Sequence, residues 1–265
     1  MPIPNLDLPV ESHPTLNQRY QGSIEKVMIV FAMEEEGSAF VEKLGLQEVR
    51  GGDLRLPFRT FHKEIGAIEL VVRFNGLDSK SKVSCVGTEY ATLNTHLGAT
   101  DCEPNLIVSA GTAGGFDYLG GEIGDVYLSD GELGFHDHRI PIPGYDEYGL
   151  GNYPSTPITN LPLVLNAKLG RVSSGNSLDS TPRDLDIMRE RGIAVKDMEA
   201  AAVAKVADAL GIAFISLKSI TDLVDSPEQT PEVFLRNLQM ASERLQTSLV
   251  KLIDHLSKGR KFEEL

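Results

Sequence analysis

Tryptophan is absent from these 265 residues, and cysteine is reduced to two positions, Cys85 and Cys102. Two isolated thiols give neither a disulfide framework nor metal-ligand spacing, which points to a reducing cytosol. Basic charge is also scarce: 25 Lys and Arg stand against 38 Asp and Glu, a formal charge of -13. Nucleic-acid affinity rests largely on phosphate neutralisation, so DNA and RNA are poor partners for such a chain. A small, uncharged or cationic ligand suits it better. No apolar run approaches the ~18 residues of a membrane helix. Residues Met1 to Ile24 lack the apolar core of a secretory signal and the Arg-rich character of a transit peptide. They read as a loosely ordered tail, 1–24.

What remains is ordinary for a folded globular protein, with 41% apolar and 24% charged residues. Lys26 to Met33 is a short apolar run that predicts a buried strand, followed by acids and an amphipathic helix to about Leu44. Phe58 to His62 and Ile68 to Phe74 read as a strand pair, and Asp78 to Leu97 as a helix. Leu106 to Ala110 predicts another buried strand, ending in the turn-like Gly111-Thr112-Ala113-Gly114-Gly115. Asp125 to Leu128, Gly170 to Ser173, Ala194 to Asp197 and Phe214 to Thr221 read as further strands. Met198 to Leu210 and Pro231 to Leu256 read as helices. Residues 131–160, rich in glycine and proline, predict a long functional loop. Strands alternate with helices and no linker divides them. The expectation is one α/β domain over 25–265, a mixed central sheet flanked by helices.

Four segments at strand ends can carry chemistry, because ligands of open α/β sheets bind beyond the carboxyl ends of strands. In Ala32-Met33-Glu34-Glu35-Glu36 the acids either cap a helix start or activate a water. The small residues from Ser109 to Gly115 let backbone amides approach a ligand, or simply make a tight connection. Their spacing fits neither a phosphate loop nor a dinucleotide fingerprint. In Lys196-Asp197-Met198-Glu199, a carboxylate at the sheet edge can accept from two sugar hydroxyls, or serve as a helix N-terminal acid. In Lys218-Ser219-Ile220-Thr221-Asp222, an acid ending an apolar strand is desolvated, which raises its pKa, or satisfies turn amides. Strand alternation predicts that Lys218 shares the face of Asp222 and opposes that rise.

Other candidates are weaker. His136 and His138 flank Asp137 but lack further ligands for a metal. Ser173-Ser174 has no His-acid partner in sequence, and Cys85 falls in a helical pattern.

Together these segments resemble the methylthioadenosine/S-adenosylhomocysteine nucleosidases of the nucleoside phosphorylase/hydrolase superfamily. Phe135-His136-Asp137-His138-Arg139-Ile140-Pro141-Ile142-Pro143 and Lys218 to Asp225 resemble the plant-type branch, which favours methylthioadenosine. The resemblance implies a nucleoside phosphorylase-like fold and hydrolysis of the N-glycosidic bond of 5′-methylthioadenosine, with no cofactor and no metal. It implies that Asp222 protonates adenine N7 and that Glu36 polarises the attacking water. Glu199 would bind the ribose hydroxyls with Met198 beside the sugar. Leu178 would lie along adenine, and Met33, Thr112, Ala113, Gly114, Lys218 and Thr221 would complete the substrate site. A homodimer is implied, in which Leu133, Phe135, Ile140 and Pro141 close the partner's alkylthio pocket. The alternatives are a phosphate-dependent purine nucleoside phosphorylase and a catalytically silent nucleoside-binding relative. Three glutamates after the first strand would repel phosphate, which favours hydrolysis. Two places depart from the family pattern: Asn176 stands where an aspartate is expected, and Asn75-Gly76-Leu77-Asp78 matches loosely.

Overall fold

The computed structural model describes residues 19–49, 55–226 and 230–265. In the first half of the chain the elements are β1 (Lys26–Phe31), α1 (Glu34–Leu44), β2 (Gln47–Val49), β3 (Arg59–Ile65), β4 (Ile68–Phe74), α2 (Thr88–Cys102), β5 (Leu106–Gly115) and β6 (Val126–Ser129). The second half adds β7 (Glu132–Phe135), α3 (Asp146–Leu150), β8 (Tyr153–Pro154), α4 (Leu161–Leu165), β9 (Lys168–Ser174), α5 (Pro182–Glu190), β10 (Ile193–Asp197), α6 (Ala200–Leu210), β11 (Ala213–Leu223) and α7 (Thr230–Leu256).

The strands form one mixed sheet in the order β2-β3-β4-β1-β5-β11-β6-β9-β7-β8, with β10 pairing to both β5 and β9. The pairings β5–β11–β6–β9–β10–β5 therefore close on themselves, while β1 to β4 extend the sheet to one side. Strand β5 is central to both parts, and all its residues are buried. Strand β1 pairs with it only from Leu106 to Ser109, and β10 meets it only at Gly114 and Gly115. Between those contacts that edge of β5 has no strand neighbour.

Two apolar layers hold the sheet. Beneath α1 and α7, Leu245, Leu249, Leu252 and Leu256 pack on Ile29, Val108 and Ile215. Their spacing of three and four residues is the buried stripe of an amphipathic helix. On the other face α6 presents alanines, Ala200 to Ala202, Ala204 and Ala207, which are small enough for α2 and the sheet to approach closely.

Several sequence expectations are corrected here. The glycine-rich Gly111–Gly115 is not a turn but the second half of β5. Helix α2 begins at Thr88 rather than Asp78, because the Asp78 carboxylate instead accepts N–H bonds from Lys80 and Ser81 and makes a turn. Cys85 thus precedes the helix. Residues 131–160 contain β7, α3 and β8, and a further helix, α5, follows them. The Thr181 hydroxyl caps α5, with Pro182 at its first position, a start signal present in the sequence. Of the expected loose tail, residues 1–18 lie outside the described residues. Of residues 19–24, Ile24 is buried and Arg19 pairs with Asp208 at 2.6 Å, while Gln21, Gly22 and Ser23 are exposed. Among the described residues no helix is long and apolar enough to cross a membrane.

Candidate active site

A cavity of about 250 Å³ opens where β5 runs on past the end of β1. It is lined from four directions: the β1–α1 junction, the glycine-rich half of β5, the β10–α6 junction and the end of β11. The carboxyl-bearing residues Glu36, Asp197, Glu199 and Asp222 all lie on its wall.

Glu36 sits in the first turn of α1 and is buried. The Met33 N–H donates to its Oε2 at 3.2 Å, while the Thr112 N–H and hydroxyl donate to Oε1 at 2.7 and 2.8 Å. It caps its helix, as one of the two sequence readings had it, and it also lies on the cavity wall. Burial raises its pKa, and Lys218 and these donors oppose the rise. Gly111 makes the arrangement sterically possible. A Cβ there would stand 3.1 Å from Glu36 Oε1 and 3.2 Å from Lys218 Nζ.

Glu199 immediately precedes α6, and its Oε1 accepts the Gly87 N–H at 2.8 Å. Desolvation lifts its pKa to about 7, against the pull of Lys218. Asp222 is buried at the end of β11, and its Oδ1 accepts the Thr221 hydroxyl at 2.7 Å. Burial raises this carboxyl above its ordinary value, with Thr221 and Lys196 acting the other way. Gly114 gives it room, since a Cβ there would lie 3.2 Å from Asp222 Oδ2.

The expected Lys218–Asp222 relation is corrected. The β5–β11 register shifts between Ile220 and Asp222, so the alternation that would align the two is broken. Bulges of this kind re-aim side chains beside active sites. Lys218 instead pairs with Asp197 at 2.8 Å, both side chains being almost completely buried. Desolvation disfavours its charge, but Asp197, Glu199 and Glu36 outweigh that and hold its pKa above the ordinary value. Asp197 also accepts the Ser174 hydroxyl and the Ala200 N–H, which ties the pair to α6. Lys218 is thus the counterion beneath the acids, not part of the cavity lining.

Lys196 is the cation that acts on Asp222. Its Nζ donates to the Ser177 and Leu178 carbonyls at 2.8 and 2.6 Å, which holds Leu178 over the cavity. Desolvation lowers its pKa, countered by Asp222 and Asp197.

Met33, Thr112, Ala113, Gly114, Leu178, Met198 and Thr221, which the resemblance assigned to a substrate site, all line the cavity. The structure adds Val86, Val224 and Phe234. Phe234 belongs to the first turns of α7, where the apolar stripe made packing the sufficient explanation. Val86 fell within a predicted helix. Asn176 accepts the Thr88 N–H at 2.8 Å and donates to the Thr88 hydroxyl at 2.9 Å, so it anchors the start of α2. The segment expected at a partner's pocket divides in two. Leu133 and Phe135 are buried in this chain's own core, Phe135 stacked on His138 at 3.9 Å, and only Ile140 and Pro141 reach the surface. His136 is buried against Ser173 at 3.1 Å, and desolvation lowers its pKa to about 4, so the ring is neutral.

The model of the phosphorylase superfamily matches residues 26–254. A 5′-methylthioadenosine nucleosidase of Arabidopsis thaliana is 39% identical, the match covering 91% of each chain. A 5′-methylthioadenosine/S-adenosylhomocysteine nucleosidase of the same plant is 38% identical, over 89% of this chain and 95% of that one. The solved apo structure of an Arabidopsis 5′-methylthioadenosine nucleosidase superposes with a TM-score of 0.89 at 38% identity, covering 92% of this chain and all of that one.

Proposed function

This chain belongs to the phosphorylase superfamily, among its 5′-methylthioadenosine nucleosidases, and from that premise we propose how its buried acids divide the work. It is an N-glycosyl hydrolase acting on 5′-methylthioadenosine, releasing adenine and 5-methylthioribose. The observation that carries the division of roles is the meeting of Glu36, Glu199 and Asp222, remote in sequence, on one cavity wall.

Adenine departs poorly as an anion, so the reaction needs a proton at the base and negative charge near the sugar. Asp222 is the general acid. Burial raises its pKa and so favours the protonated carboxyl, and Oδ2, unlike Oδ1, is not engaged by Thr221 and presents the proton to adenine N7. As the bond lengthens, the ribosyl fragment gains oxocarbenium character, and preorganised carboxylates stabilise that charge. Glu36 is the group that orients and polarises the water. Its three donors favour the ionised form and fix both oxygens in place. Glu199 accepts from the ribose hydroxyls through the oxygen not engaged by Gly87. Lys218 balances the acids from below.

Water rather than phosphate is the acceptor. A phosphorylase must hold a dianion beside the anomeric carbon with cations and amides. Here the position beside Thr112 is filled by Glu36, Lys218 is committed to Asp197, and Lys196 is committed to loop carbonyls. The same commitment favours methylthioadenosine over S-adenosylhomocysteine. Val86, Met198 and Phe234 offer apolar surface, and no uncommitted cation among the lining residues awaits a homocysteine carboxylate. The protein acts as a cytoplasmic homodimer in methionine salvage, with Ile140 and Pro141 at the partner's pocket rim.

An adenine-release assay in phosphate-free buffer tests the reading. Full turnover is expected there, with a kcat/KM for methylthioadenosine well above that for S-adenosylhomocysteine. An absolute phosphate requirement would assign the chain to the phosphorylases, and binding without adenine release to a silent relative. A fully active monomer by sedimentation would remove the dimer from the account.

A further inference from the structure

Three fully or nearly fully buried polar side chains take no part in the chemistry described above: Arg73, Asn75 and Asn94. Burying such groups is costly unless each is hydrogen-bonded, and these are bonded to one another in a line. Arg73 Nε donates to Asn94 Oδ1 at 2.8 Å, Asn94 Nδ2 donates to Asn75 Oδ1 at 2.9 Å, and Asn75 Nδ2 donates to the Cys85 carbonyl at 2.8 Å. The line has a fixed end and a functional end. At its fixed end Arg73 belongs to β4, while the Asn75 backbone N–H is tied to the Phe31 carbonyl of β1 at 3.0 Å. At the other end, Cys85 is followed by Val86, which lines the cavity, and by Gly87, whose N–H donates to Glu199.

Residues 76–87 form a connection without regular helix or ladder, closed on itself by the Leu77–Ser84 bridge and by the Cys85 N–H bonded to the Gly76 carbonyl at 2.9 Å. Its height above the sheet is therefore set where it joins Asn75 and where Asn75 holds the Cys85 carbonyl. Gly87 sits at φ 101°, and a Cβ there would lie 3.0 Å from Asn176 Oδ1. Small displacements of such a segment move a hydrogen bond to Glu199 out of range, because these bonds weaken steeply with distance and angle.

We propose that Asn94 and Asn75 are positioning residues for Glu199: the buried Arg73–Asn94–Asn75–Cys85 line sets the place of the Gly87 N–H, which restrains one Glu199 oxygen and leaves the other aimed at the sugar hydroxyls. The inference deepens the reading of Glu199 as the hydroxyl acceptor and rests on it. Without the line, Glu199 rotates, and hydroxyl recognition is lost while Asp222 and Glu36 are untouched.

The test uses Asn94→Asp. A carboxylate there still accepts from Arg73, which supports folding, but it has no donor for Asn75 Oδ1 and repels it. Turnover is measured on methylthioadenosine and on an analogue lacking the ribose 2′- and 3′-hydroxyls. Comparing variants on each substrate cancels the different intrinsic lability of the two glycosidic bonds. In N94D, kcat/KM for methylthioadenosine is expected to fall about tenfold, as for a lost hydrogen bond to a charged group. For the analogue it should change less than twofold. If N94D is folded and the ratio of the two substrates is unchanged, or both fall together, the positioning role is wrong. If the unaltered enzyme itself does not discriminate the hydroxyls in a manner that Glu199→Gln abolishes, the reading of Glu199 fails instead. Should N94D lack folded circular dichroism, the same pair of substrates is run on Asn75→Ser, which shortens the line one step nearer the cavity. An unchanged ratio in N75S would overturn the inference equally.

Discussion

Strands β5 and β11 run side by side in parallel for their whole length, yet their two halves are different materials. In the first half, Leu106 to Ala110 against Ala213 to Leu217, the residues are largely apolar and sealed between α7 and α6. In the second half, Gly111 to Gly115 against Lys218 to Leu223, glycines lie opposite a buried ammonium and a buried carboxyl. The backbone pairing is continuous across the change apart from one register shift. A strand pair can thus be pure packing at one end and reactive surface at the other. The change occurs where β1 ends and stops covering β5. The first half tolerates volume loss at the cost of stability. The second half holds charges whose loss costs function, stability or both.

The sharpest way to separate the halves is Asp222→Asn. It removes the transferable proton while keeping the shape, so adenine release should fall by about 10²–10⁴. The melting temperature should hold or rise, since a desolvated buried acid is gone. A variant with near-normal turnover would end the distinction.

Next comes Lys218→Met. It leaves Asp197 charged and buried with only Ser174 and Ala200 as donors, and should cost about 3–5 kcal/mol in denaturant unfolding. Adding Asp197→Leu should recover most of that stability but not the activity, which separates counterion from substrate ligand. Full activity in the double variant would contradict the role given to Lys218.

In the first half, Ile215→Ala should cost about 2–5 kcal/mol of stability by cavity formation. At temperatures where it stays folded, its KM for methylthioadenosine should match the parent. A KM change of tenfold or more would mean that the halves are mechanically coupled.

The smallest effect concerns pH. Glu199 titrates at about 7 in the fold, against an ordinary 4.5. The folded protein therefore binds the proton more tightly than the unfolded chain. This contribution to stability is complete below about 4.5 and is lost as pH rises through about 7. Melting temperatures of the unliganded protein across that window should fall more steeply than those of Glu199→Gln. Parallel curves would show that Glu199 is not the group responsible.

Much of the site was legible in advance because it lies at strand ends. An apolar run terminating in Glu, Asp-Met-Glu or Thr-Asp reads the same way in sequence as in space. That pattern nominated the segments and Asp222, while the choice of Glu36 and Glu199 within their acidic clusters came from the family resemblance. Other residues were hidden by equally sound local patterns. Phe234 sits in an amphipathic helix, and its use as cavity wall follows from where the start of α7 lies relative to β5. Leu133 and Phe135 gave no sign that they would be spent on this chain's own core.

The sequence by itself determined the alternation of elements, the apolar stripes and the strand ends that carry acids, because each is a matter of local period and composition. Only the tertiary structure decided which charges face one another. A single register shift in β11 turned Lys218 from Asp222 toward Asp197, Glu36 and Glu199. Pairing between distant strands is set by the packing of the whole sheet, and no local repeat records it.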